Sequence, residues 1–127
     1  MMTLYHAPST AAFVVHWLLI ELDLHAERGL APAPGTPARA AYYQWMFFLA
    51  NTLQPAYRAW FYPTEPAGEA NVEATQRQAR EHIEWAWDRV AAHLETGGPY
   101  LLGEQLSVAD FLTTMLMRWS RNMPKRT

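Results

Sequence analysis

Ser107 and Asp110 stand three positions apart within Leu106-Ser107-Val108-Ala109-Asp110-Phe111. A hydroxyl followed at that distance by a carboxylate is the pairing that closes a helix N-terminus. Each side chain reaches the other residue's backbone amide, and Leu106 and Phe111 then occupy the positions of a hydrophobic staple. The chemistry expected of Asp110 is therefore capping rather than proton transfer, with roughly 0.5–2 kcal/mol of stability resting on each member of the pair. Ser9 and Thr10, behind the Ala7-Pro8 break, place two more hydroxyls at a helix start. Either can accept a bond from an orphan amide of the first turn. The five histidines do not assemble a metal site. His82 and His93 lie three turns apart on one helix, and His6 and His16 have no matching ligand one turn on. Without any cysteine, disulfides, thiolate zinc sites and a cysteine nucleophile are excluded. Arg77, Arg80, Glu81, Glu84, Asp88 and Arg89 read as a solvated helix face.

The elements that must position these residues follow from periodicity and punctuation. Thr3-Leu4-Tyr5 is a short β-prone stub, and Ala11 to Leu22 reads as a helix with Val14, Val15, Leu18, Leu19 and Leu22 on its core face. A lone strand cannot satisfy its own backbone groups, so the stub either pairs with another copy or is not a strand. Ala31-Pro32-Ala33-Pro34-Gly35 is a stiff loop. Thr36-Pro37 then reads as N-cap and first-turn proline, where a missing amide costs nothing. From there a long aromatic helix runs to about Tyr62, with Trp45, Phe48, Leu49 and Leu53 among its apolar positions. Pro55 lies inside it and predicts a kink near Asn51 or Thr52, one turn earlier.

A third helix is expected over Ala70 to Glu95, stopped by Gly97-Gly98-Pro99. Its stripe is Val72, Ala79, Ile83, Ala86, Trp87, Val90 and Leu94. Trp85 points nearly opposite that stripe, so it folds over its own helix, meets the tail or contacts another molecule. The fourth helix starts at Ser107, continues through Leu112, Met115, Leu116 and Trp119, and is closed by Pro124. No sequence repeat relates these segments.

Composition bounds the function. The chain has 127 residues, 50% hydrophobic, 13% aromatic and 17% charged, which suits one folded domain and excludes disorder. A formal charge of −2 provides no phosphate-neutralising excess, so no nucleic-acid partner is expected. The longest nearly apolar run, Ala11 to Ile20, is interrupted by His16 and falls short of the roughly 20 residues a bilayer requires. No basic region precedes it, so neither a membrane span nor a secretory leader is expected, and the expected location is cytoplasmic.

Three stretches resemble the glutathione S-transferase family. Leu4-Tyr5-His6-Ala7-Pro8-Ser9, with the Phe13 to Leu22 helix and Glu21, resembles the opening strand and helix of the family's thioredoxin-like domain. Glu27-Arg28-Gly29-Leu30 through Thr36-Pro37, Arg39-Ala40 and the long aromatic helix resembles the start of its all-helical second domain. Tyr100-Leu101-Leu102-Gly103-Glu104-Gln105-Leu106-Ser107-Val108-Ala109-Asp110 is the most specific match and resembles the family's capped core helix, a Gly followed by Ser/Thr-x-x-Asp.

The resemblance implies a mainly α fold. Residues 1–24 would be a remnant of a thioredoxin-like domain (strand plus helix), and 25–127 a truncated helical bundle like the family's C-terminal domain. The activity it implies is conjugation of the glutathione thiolate to a hydrophobic electrophile, with glutathione as co-substrate. Ser9 is then the hydroxyl that stabilises the thiolate at a helix N-terminus, with Tyr5 and Thr10 as alternatives. Phe47, Asn51 and Tyr57 would line the electrophile pocket, although Phe47 also reads as ordinary packing and Asn51 as an amide serving the kink.

The sequence also departs from the family. Leu22-Asp23-Leu24 runs straight into His25-Ala26-Glu27, where the family carries further strands, a cis-proline turn and a Ser-bearing helix start. The block that holds the peptide end of glutathione is missing, and the final helices are expected to be absent. The alternative is a catalytically inactive helical remnant, or an engineered scaffold or interaction module of that fold. Apolar surface uncovered by the missing block predicts a homo-oligomer.

Overall fold

A computed structural model describes residues 29–125. The stub at 3–5, the first predicted helix and the candidate residues Tyr5, Ser9 and Thr10 lie outside the described residues. Within them the chain is mainly helical, as the sequence predicts. α1 spans Pro37–Phe48, α2 Gln54–Phe61, α3 Thr64–Ala67, α4 Val72–Gly97 and α5 Val108–Trp119. Single 3-10 turns at Glu69–Asn71 and Ser120–Asn122 lead into α4 and out of α5. Among the described residues no strand forms. Two isolated antiparallel bridges, Tyr100 with Gly103 and Leu102 with Gln105, shape the strap between α4 and α5.

Thr36 caps α1 as its sequence dictates: its side chain accepts from the Arg39 amide at 3.3 Å, with Pro37 in the first turn. α1 does not run unbroken into α2. Leu49–Leu53 is a π-helical turn, closed where the Gln54 amide bonds the Leu49 carbonyl five residues back. Pro55 has no amide to give, and widening the preceding turn by one residue carries the chain past it. The predicted kink thus takes the form of a register shift. α4 begins at Val72 rather than Ala70, because the 3-10 turn occupies Glu69–Asn71.

The core lies where α1, the π turn, α2, α4 and α5 converge. Tyr42, Leu49, Leu53 and Tyr57 from the long helical arm meet Ile83, Ala86 and Val90 of α4 and Leu112 and Leu116 of α5. Of the predicted α4 stripe, Ala79, Ile83, Ala86 and Val90 are buried while Trp87 and Leu94 are half-buried. Tyr42 and Tyr57 join the core at one-face spacings from Leu49 and Leu53. Sequence reading gave them no core role, because a phenol offers a polar tip as well as an apolar ring.

α5 is the most completely tied element. The Asp110 carboxylate accepts from the Ser107 amide (2.9 Å) and Ser107 Oγ (3.2 Å) through Oδ2, and from the Leu101 amide (2.9 Å) through Oδ1. The Val108 amide donates to the Leu30 carbonyl at 3.0 Å. One side chain therefore closes the helix and pins the strap to it. The strap turns at Gly98 (φ +112°), where a Cβ would stand 3.0 Å from the Gly103 carbonyl oxygen, so only glycine fits. The expected staple pair, Leu106 and Phe111, stays largely at the surface, 36% and 39% exposed.

Candidate functional site

Widening the helix at Leu49–Leu53 opens a cleft of about 620 Å³ between the α1–α2 arm and α4. Pro55, Ala56 and Ala59 form one wall, and Thr75, Ala79 and His82 the other. Small side chains leave the space, while Asn51, Thr52 and Gln78 supply neutral donors and acceptors at its rim. Among the described residues no carboxylate, lysine or arginine lines this cleft. That lining fits an uncharged, partly apolar molecule, with the His82 imidazole on the α4 wall.

The structure separates the three residues expected to bind substrate. Asn51 lines the cleft. Phe47, one turn earlier, is 63% exposed and lies against Tyr43, with ring centroids 6.4 Å apart; it is not part of the cleft wall. Tyr57 is fully buried. Its hydroxyl accepts from Trp87 Nε1 at 2.8 Å and shares a close hydrogen bond with Ser120 Oγ, and its ring meets Trp119 edge-on at 5.7 Å. Tyr57 thus joins α2, α4 and the end of α5. Trp60 is half-buried, and its carbonyl is held by Gln76 Nε2 at 3.2 Å.

A second cleft, of about 440 Å³, lies on the seam between α1 and the C-terminal half of α4. Four rings follow one another along that seam. Trp85 faces Phe48 at 6.0 Å, Phe48 meets Trp45 edge-on at 5.6 Å, and Trp45 lies 4.6 Å from the His93 ring. Trp85 remains 47% exposed, yet it packs against α1 and carries the Arg89 guanidinium 5.2 Å above its ring. His93 Nε2 lies 2.8 Å from the Leu101 carbonyl. A carbonyl can only accept, so Nε2 carries the proton and the ring is fixed against the strap. The sequence does contain a signal for this seam: Trp85, Arg89 and His93 recur at every fourth position beside the apolar stripe. Sequence reading places Arg89 on the charged face, Trp85 off the stripe and His93 among the histidines, so the three are not seen as one row.

At the base of α1, Arg39 Nη1 donates to the Pro32 carbonyl at 2.8 Å and Nη2 to the Tyr43 hydroxyl at 2.7 Å. The buried Tyr42 hydroxyl has no hydrogen-bond partner among the described residues. Burial pushes its pKa above the ordinary phenol value, against the opposing pull of the Arg39 charge. Among the described residues no three His, Asp or Glu side chains gather as an ion would need, and no helix is long and apolar enough to cross a membrane. Comparison with protein-family models, curated proteins and solved structures finds no match to this chain.

Proposed function

We propose that the chain is a glutathione S-transferase-like protein, conjugating the glutathione thiolate to a hydrophobic electrophile. Ser9 would stabilise the thiolate, with Tyr5 or Thr10 as alternatives, and the cleft beside Asn51 would take the electrophile. The observation that carries this reading is the Asp110 carboxylate, bonded at once to Ser107 and to the Leu101 amide. It lies in the Tyr100–Asp110 stretch, where the resemblance to the family is most specific. A cleft with small apolar walls and the amides of Asn51 and Gln78 at its rim suits a hydrophobic electrophile. The test is conjugation of glutathione to an aryl halide. Ser9→Ala is expected to lower kcat/KM by roughly tenfold or more, and Asn51→Ala to raise KM for the halide with little change in kcat. Product formation no faster than in buffer would overturn the proposal.

A second reading, a helical scaffold or interaction module without catalysis, is supported by Tyr57. A residue expected on the substrate wall is instead taken up in the core, its hydroxyl shared by Trp87 and Ser120. Cooperative unfolding together with no glutathione binding would favour this second reading.

A further inference from the structure

We propose that the cleft on the α1–α4 seam binds a small planar aromatic carboxylate. Its walls are the rings of Trp45 and Phe48, set edge-to-face, and the His93 ring, held in place by the Leu101 carbonyl. A flat ring entering there gains stacking partners that are already ordered. Room for it is kept by what the chain leaves out. Ala38 and Ala41 line the α1 side and Gly97 the α4 side, so only the smallest side chains stand there.

The charge is supplied by Arg89, the only arginine, lysine or carboxylate side chain among the described residues that line the cleft. The ion pairs among the described residues are Arg58 with Glu65 and Arg80 with Glu84. Arg89 is engaged through its face, by the Trp85 ring. A guanidinium stacked in that way keeps its edge for donation, and that edge matches a carboxylate with two parallel hydrogen bonds. Stacking also orders the side chain before a ligand arrives, which lowers the entropy lost on binding. Among the described residues one guanidinium and no lysine line the space, which makes a poor cradle for a phosphate dianion. A volume of about 440 Å³ suits a molecule of one or two rings.

The test uses the full chain and two commercial isosteres, indole-3-acetate and its neutral amide, titrated calorimetrically. The acetate is expected to bind saturably, roughly tenfold or more tighter than the amide. Arg89→Gln should bring the acetate down to the level of the amide, and Ala41→Leu, which fills the cleft, should abolish binding of both. Asn51→Ala, in the other cleft, should change neither, so the outcome is independent of any glutathione chemistry. Equal affinity for acid and amide, unchanged binding in Arg89→Gln, or no saturable binding at millimolar ligand would each overturn the proposal.

Discussion

Two interruptions of the helical hydrogen-bond ladder, before α5 and at Pro55, are resolved by opposite means. Before α5 the chain supplies a side chain. Asp110 takes up two backbone amides and a hydroxyl, and the Leu30 carbonyl takes the Val108 amide. At Pro55 no side chain among the described residues caps the break; the register shifts instead, and the turn at Leu49–Leu53 widens. The first solution leaves a closed joint, with Ser107, Val108 and Ala109 buried. The second leaves a cleft with Asn51 at its rim. Where polar groups are met by side chains the fold gains rigidity, and where geometry alone adjusts it gains space.

That contrast predicts a graded mutational series. Asp110→Ala removes three acceptor contacts and strands the Leu101 and Ser107 amides, so it should lower unfolding free energy by about 2–3 kcal/mol in a urea titration. A loss below about 0.5 kcal/mol would mean that the strap is held by packing and that the joint is not closed by its carboxylate. Tyr57→Phe should cost about 1–2 kcal/mol, because the Trp87 N–H loses its acceptor in the core. An unchanged stability would return Tyr57 to the list of substrate residues.

Tyr42→Phe should be neutral or stabilising by up to about 1 kcal/mol, since the hydroxyl it removes is buried without a partner among the described residues. The same residue gives a pH dependence. Its folded-state pKa is raised by burial, so the stability linked to it is fully present below the unfolded phenol value of about 10. It is lost as the pH rises through the folded value. Wild type should therefore weaken in alkali more steeply than Tyr42→Phe. At the open break, Asn51→Ala should change stability by less than about 0.5 kcal/mol. A larger loss would show that the amide completes the π turn.

Much of this architecture was legible because its signals are local. Thr36-Pro37 announced the start of α1, Ser107 and Asp110 the start of α5, Gly97-Gly98-Pro99 the end of α4, and Pro55 the break. Each depends on chemistry within one turn of the backbone. The burial of Tyr42 and Tyr57 and the row of rings from Trp85 to His93 were not legible. They depend on which face of α1 meets which face of α4, and periodicity within one helix carries no information about its neighbour's rotation. Trp85 shows the difference: it does lie off the apolar stripe of its own helix, but Phe48 of another element meets it. Asn51 and Phe47 were singled out together by the family resemblance, and Asn51 lines the cleft. Phe47 stands one turn away, and the structure leaves it outside the cleft.

The most direct measurement of the functional account is a calorimetric titration of the full chain with glutathione, repeated on Ser9→Ala. The account predicts saturable binding to the wild type, weakened at least several-fold by the substitution. No heat of binding at millimolar glutathione, in a sample that still unfolds cooperatively, would contradict it and leave a helical scaffold whose closed joint at Asp110 serves stability alone.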